Sequence, residues 1–259
     1  MIAAELIAAG VELGGRPALV EADLAVGEGE VLGVIGANGA GKTTALRALL
    51  GLARLSGGAA RLGGQPVDRL SELERASLAG YLPQERRVAW NMPAWRIAAL
   101  GAVHRPPGEA HTLALRALDE VGVRDLAERG VRDMSGGERA RTLIARLLAT
   151  GAPLLAADEP TAGLDPEAAL RVMEVLRAHA RAGAAVIVTL HDLTLAARSC
   201  DRLAVMSAGR ILTAAAPAEA LSSANLAQAF GLAGELITSP AGVVLAAERL
   251  AAERPQGLP

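Results

Sequence analysis

Nine residues, Gly36-Ala37-Asn38-Gly39-Ala40-Gly41-Lys42-Thr43-Thr44, constrain the fold of this chain more than any other stretch. An apolar, strand-like run, Val31-Leu32-Gly33-Val34-Ile35, leads into them. A helix-like run from Ala45 to Leu50 leads out and stops at Gly51. Strand, glycine loop and helix are the context in which Gly-x-x-x-x-Gly-Lys-Thr means phosphate binding. Glycine lets the backbone turn tightly and bring its N–H groups against an anion. The helix that follows adds its unpaired N-terminal N–H groups and the positive end of its dipole. Lys42 is expected to reach the outer phosphates of a nucleotide, and the Thr43 hydroxyl to ligate Mg²⁺. In a chain with 29 glycines the alternative is a chance match, and the flanking strand and helix argue against it.

Lys42 is also the only lysine among 26 basic residues. An arginine bias can be genomic, yet this one position keeps a compact ammonium where a guanidinium fork would crowd the loop. Hydrophobic residues make up 51% of the chain and aromatic ones 2%, so the core is expected to be aliphatic. The formal charge is −2 with no basic run, which gives no electrostatic footprint for nucleic acid. One cysteine, Cys200, has no intrachain partner and is expected to be a small buried residue in a reducing compartment. Met1 to Leu6 lacks the basic start of a signal peptide. No uncharged apolar run reaches the roughly 18 residues that a bilayer span needs. The expectation is a soluble chain that meets a membrane only through a partner.

Residues 1–32 read as short strands joined at Gly14-Gly15-Arg16-Pro17 and Gly27-Glu28-Gly29-Glu30. After the loop and its helix come a strand at Ala59–Leu62, a helix from Leu70 to Ser77 with Ser71 as its N-cap, and a strand from Leu78 to Leu82. From about residue 85 to 150 the periodicity is helical, notably over Ala110–Val121 and Glu138–Leu148. Apolar strands return at Leu154–Ala157, Ala184–Leu190 and Leu203–Met206, separated by helix-like segments at Pro166–Arg181 and Leu193–Cys200. Uniformly apolar strands alternating with helices predict an α/β fold with a mostly parallel sheet covered on both faces. The chain is thus expected to divide into a nucleotide-binding core (1–84 and 151–235, opening with an antiparallel β subdomain), an inserted helical subdomain (85–150), and a C-terminal hairpin and disordered tail (236–259). The hairpin turns at Pro240-Ala241-Gly242, and the tail is Arg254 to Pro259.

Leu154-Leu155-Ala156-Ala157 runs into two adjacent carboxylates, Asp158-Glu159. In an α/β sheet, ligands gather at the carboxyl ends of strands. Asp158 is then positioned to hold Mg²⁺ and Glu159 to orient or activate an attacking water; acidic capping before Pro160 is the plainer alternative. Met134-Ser135-Gly136-Gly137-Glu138-Arg139 opens a helix. Ser135 and the two glycine N–H groups form a second anion cradle, and Ser135 with Glu138 also reads as a capping box. Both readings can hold together. Two phosphate cradles in one short chain call for a second copy to bring them to one nucleotide.

These motifs, in this order, resemble the nucleotide-binding subunits of ABC transporters over residues ~5 to ~235. The phosphate loop is Gly36–Thr44, the Q-loop Tyr81-Leu82-Pro83-Gln84, and the signature Met134–Glu138. The acidic strand end is Leu154–Glu159, the D-loop Ala162-Gly163-Leu164-Asp165, and the switch histidine His191 in Thr189-Leu190-His191-Asp192. The resemblance implies a P-loop ATPase of ABC type in which two copies stack head to tail and trap ATP and Mg²⁺. Each ATP lies between one chain's loop (Gly36, Asn38, Gly39, Ala40, Gly41, Lys42, Thr43, Thr44) and the other's Ser135, Gly136, Gly137 and Glu138. Thr43, Gln84 and Asp158 are the implied metal contacts, Glu159, His191 and Gln84 the implied catalytic set, and Asp165 crosses the interface. Transmembrane permease subunits, and through them a binding protein on the far side, are the implied partners at the cytoplasmic face of the bacterial cell membrane. A nucleic-acid partner is not expected.

Three features refine the resemblance. Leu13 stands where the family carries an aromatic that stacks on adenine, so base selectivity is expected to be loose. Tyr81, Trp90 and Trp95 cluster after the Q-loop strand, either as subdomain core or as a docking groove for a permease. Arg86-Arg87-Val88, the stretch from Leu100 to Pro107, and Pro217 to Gly231 resemble importers of iron–siderophores, haem and cobalamin. One cassette, no heptad run and no Asn-Lys-x-Asp segment argue against soluble twin-cassette ATPases and against GTPases.

Overall fold

The computed structural model of the chain describes residues 1–85, 88–240 and 242–250. It opens with a hairpin of two long strands, β1 (Ile2–Leu13) and β2 (Arg16–Gly27), instead of the several short strands expected. Each strand bulges midway. Ala8 and Glu21 adopt positive φ of 43° and 47°, and the register shifts between Leu6 and Ala9. A bulge interrupts the inside–outside alternation, so one bent ribbon reads as fragments. The Asp23 carboxylate steadies the first bulge by accepting the Ala8 N–H at 2.8 Å.

β3 (Val31–Gly36) and α1 (Lys42–Leu49) flank the glycine loop. β4 (Gly57–Leu62) and β5 (Gln65–Pro66) extend the hairpin into a four-stranded antiparallel sheet ordered β2-β1-β4-β5. α2 (Glu72–Leu78) starts at Ser71, as expected, with a complete Ser71–Glu74 capping box, and β6 (Ala79–Leu82) follows. α3 (Ala94–Ala99), α4 (Pro107–Glu120) and α5 (Gly136–Leu148) then form a helical block. β7 (Leu154–Asp158), α6 (Pro166–Arg181), β8 (Ala185–Thr189), α7 (Leu193–Ser199), β9 (Arg202–Ser207) and β10 (Arg210–Ala215) return to alternation. The described chain closes with α8 (Pro217–Ala220), α9 (Ser223–Phe230) and a hairpin of β11 (Leu232–Ser239) and β12 (Gly242–Arg249). The expected tail, Arg254–Pro259, lies outside the described residues, as do Arg86 and Arg87.

The central sheet is ordered β10-β9-β3-β8-β7-β6, parallel throughout except for the edge strand β10. Its apolar runs alternate between two cores. Val31, Ile35, Leu155, Val186, Val188 and Val205 face the helical side. Leu32, Val34, Leu154, Ile187, Ala204 and Met206 face α1 and the antiparallel sheet. Burial on both faces is the reason β3, β7 and β8 carry no polar residue before their C-terminal ends. Packing is close at Gly33, where a Cβ would come 2.8 Å from the Cys200 Sγ. Cys200 is buried, and desolvation pushes its thiol up to about 12, so it is a packing residue with little thiolate character.

The three clustered aromatics part company. Trp95 packs on the helical-side core, meets the His111 ring edge-on at 4.7 Å and donates its indole N–H to Glu128. Tyr81 is half-buried against the other core. Trp90 stands 73% exposed.

Candidate functional site

Four segments converge at the C-terminal edge of the parallel sheet: the loop after β3, Gln84 after β6, Glu159 after β7 and His191 after β8. They line a cleft of about 890 Å³ together with Leu13, Pro17 and Ala18 at the tip of the first hairpin and Ala208-Gly209 after β9. Strand order does this work. β3 is hydrogen-bonded between β8 and β9, and β7 lies on the far side of β8, so residues more than a hundred positions apart meet at one edge.

The loop has the shape of an anion cradle. A Cβ on Gly36 would approach the Met206 carbonyl oxygen to 2.4 Å, and one on Gly41, at φ 102°, would approach that of Ala18 to 2.7 Å. Gly41 caps α1 with no side-chain hydrogen bond, which leaves the helix's first N–H groups for a ligand. Lys42 is buried, its ammonium donating to the carbonyls of Gly36 at 2.8 Å and Ala37 at 3.1 Å. Burial lowers its pKa, while the Glu159 and Asp158 carboxylates oppose that shift. A nearly dry cation beside open amides is suited to a multiply charged phosphate chain.

Glu159 holds the opposite wall. Its Oε1 accepts from Gln84 Nε2 at 2.9 Å and pairs with His191 Nε2 at 2.5 Å. Its backbone sits at φ 52°, a left-handed conformation that costs a non-glycine residue on the order of 1 kcal/mol or more. Asp158 lies fully buried beneath. One of its oxygens accepts the Thr189 hydroxyl at 2.6 Å, and the other, Oδ2, is buried without a partner. An orphaned buried carboxylate oxygen is costly unless a cation or donor completes it. The donors at hand (a carboxylate, the Thr43 hydroxyl and the Gln84 amide) are the hard oxygen ligands Mg²⁺ takes, the rest coming from substrate and water. Among the described residues, no group of three or more His, Cys, Asp and Glu is placed to hold a metal ion.

The cleft therefore gathers Asn38 to Thr44, Gln84, Glu159 and His191, with Gly36 and Asp158 just behind. Ser135, Gly136, Gly137, Glu138 and Asp165 are not among its lining residues. Ser135 and Gly136 are exposed at the start of α5. There the Ser135 hydroxyl accepts the Glu138 N–H at 3.2 Å and Glu138 accepts that of Ser135 at 2.8 Å, a complete capping box. Asp165 caps α6 by accepting the Ala168 N–H at 2.9 Å. Thr189 enters the sequence motifs only as a flank of His191, with no role of its own. Its only sequence signal is a hydroxyl at the end of an otherwise apolar strand; the register that sets it opposite Asp158 is tertiary.

Comparison with known proteins adds the lineage. Residues 19–162 match the family model described as ABC transporter. A hemin import ATP-binding protein of Myxococcus xanthus is 42% identical over 229 residues, covering 84% of this chain and 86% of that protein. A cobalamin import ATP-binding protein of Halobacterium salinarum is 37% identical over 236 residues, covering 89% of this chain and 59% of that one. Among solved structures, a chain described as a metal-chelate type ABC transporter in an inward-facing conformation superposes with a TM-score of 0.81 at 23% identity, covering 96% of this chain and 97% of the other.

Proposed function

The chain belongs to the ABC transporter family, and from that premise we propose that it is the ATP-hydrolysing subunit of an importer for a metal chelate of the haem, cobalamin or siderophore class. The observation that carries the enzymatic half is the cleft itself. A buried ammonium and an open helix N-terminus stand across from a carboxylate held by an amide and an imidazole. The cargo half rests on the relatives, whose names specify hemin and cobalamin import.

In this reading the amides of Gly36 to Gly41, Asn38 and Thr44 and the Lys42 ammonium hold the phosphates. Thr43, Asp158 and Gln84 would hold Mg²⁺, which when bound neutralises charge on the phosphate oxygens. Glu159 orients a water and takes its proton as the water oxygen bonds to the γ-phosphorus. The bond from that phosphorus to the bridging oxygen breaks, and ADP leaves with the electron pair. His191 and Gln84 fix the carboxylate for that task, and positioning supplies much of the acceleration.

Residues 1–84 and 151–231 serve as the nucleotide-holding core, 85–150 as the helical unit bearing the signature, and β11 with β12 as an appended hairpin that begins at Leu232, ahead of the expected 236. The exposed cradle at Ser135-Gly136-Gly137-Glu138 completes the ATP site of a second copy, with Asp165 at the seam. No helix among the described residues is long and apolar enough to cross a membrane. In this reading the chain sits at the cytoplasmic face of the membrane, held there by permease subunits that a binding protein supplies from the other side.

Glu159→Gln tests the chemistry. It keeps size and hydrogen bonding but cannot take the proton, so ATP still binds while turnover falls by about 10²–10⁴-fold. Turnover at the wild-type rate would sink the assignment. Growth of a deletion strain on single iron, haem and cobalamin sources tests the cargo.

A further inference from the structure

The Thr189 hydroxyl does two jobs at once inside this site. It donates to Asp158 Oδ1 at 2.6 Å and accepts the Glu159 N–H at 2.8 Å. A hydroxyl has one proton to give and lone pairs to receive, so both bonds are compatible and together they set its direction. Thr189 is completely buried. It lies in register beside Asp158 on the neighbouring parallel strand, so its backbone is anchored by the sheet and its side chain cannot drift.

We propose that Thr189 is the positioning residue of the metal half of the site, an inference that rests on the ATPase reading above. By engaging one oxygen of Asp158 it fixes the carboxylate plane and leaves the second oxygen, Oδ2, buried and unpartnered as the one available to a cation. By receiving the Glu159 N–H it holds the left-handed turn at φ 52° that swings the Glu159 side chain to Gln84 and His191. Without that acceptor the part-buried Glu159 N–H would lose this hydrogen bond and the strained turn would lose a restraint. Two adjacent carboxylates thereby point in different directions from one strand end: Asp158 inward with a bare oxygen, Glu159 outward into the cleft. Thr189 touches neither substrate nor metal; it acts through its neighbours. Partners of a ligating carboxylate carry comparable weight in other metal sites, where their loss costs roughly 10–100-fold in metal affinity or activity.

The test compares Thr189→Val, which removes the hydroxyl at nearly constant shape, with Thr189→Ser, which keeps it. Affinity for a fluorescent ATP analogue is measured in EDTA and again across a Mg²⁺ titration, alongside ATP turnover. Thr189→Val is expected to bind the analogue in EDTA as wild type does, to need at least about tenfold more Mg²⁺ for the metal-dependent gain in affinity, and to lose turnover in parallel. Thr189→Ser should restore both to within about threefold. Thr189→Ala gives the same reading if the valine chain does not fold. An unchanged Mg²⁺ midpoint in the hydroxyl-free variants, or a serine chain as impaired as they are, overturns the proposal. Wild-type Mg²⁺-ATP turnover in the same assay checks the ATPase reading separately.

Discussion

Leu13 sits at the tip of the first hairpin, 57% exposed, where the cleft is lined by Pro17, Ala18, Ala208 and Gly209. None of these side chains carries a hydrogen-bonding atom, and proline lacks a backbone N–H as well. Strong discrimination between bases comes from polar groups left unpaired by the wrong one, and an aliphatic wall offers no such penalty. The phosphate end is the reverse, with a buried lysine and a cradle too tight for a Cβ. We expect GTP to be hydrolysed with a kcat/KM within about 100-fold of that for ATP. A nucleotide panel showing strict ATP preference would contradict it.

At the scale of the element, the start of α5 carries a complete capping box and, in the reading proposed above, a phosphate contact to a second copy. The Ser135–Glu138 box pairs two of the orphan donors and leaves the amides of the two glycines directed out of the helix end. Backbone hydrogen bonding from Ser135 is the main cause that holds the Glu138 carboxyl below its usual range. That contribution to α5 is therefore complete above the ordinary glutamate pKa and is lost as pH falls through the lowered value. Ser135→Ala should destabilise the chain by about 1 kcal/mol, read as a lowered denaturation midpoint. It should also reduce turnover in the dimer by more than that loss explains, since the partner's phosphate loses a contact. If turnover merely tracks stability, the recognition role falls. α7 is similarly tied on two sides: Asp192 caps it, and Thr194 receives the Leu245 N–H at 3.1 Å from the C-terminal hairpin.

For the whole molecule, the proposed site is divided between the cleft and exposed α5, and in the reading proposed above a second copy completes it. The Glu159→Gln chain should collect as an ATP-bound dimer, since binding survives while the step that releases it does not; size-exclusion chromatography with and without ATP reads this directly. Trp90 is the residue we propose for the contact with a permease. Its exposure contrasts with Trp95, which is spent on the core, and large exposed aromatics concentrate binding energy at interfaces. Trp90→Ala should lower transport by the assembled importer at least tenfold with basal ATPase and thermal stability unchanged. Equal loss of stability and ATPase would return Trp90 to a packing role.

Local chemistry was legible in the sequence wherever it depends on neighbours along the chain. The phosphate loop, the Ser71 N-cap, the Ser135–Glu138 capping box, the apolar strands and the acidic strand end rest on contacts a few residues apart, and composition and spacing dictate them. The length of the first hairpin was not legible, because bulges at Ala8 and Glu21 break the period that reveals a strand. The sheet order was not legible either. That order alone brings Gln84 and His191 to the Glu159 carboxylate and sets Thr189 beside Asp158. Short-range geometry is written in the order of residues, whereas which strand lies beside which is settled by burying two apolar faces at once, and only the folded chain decides it.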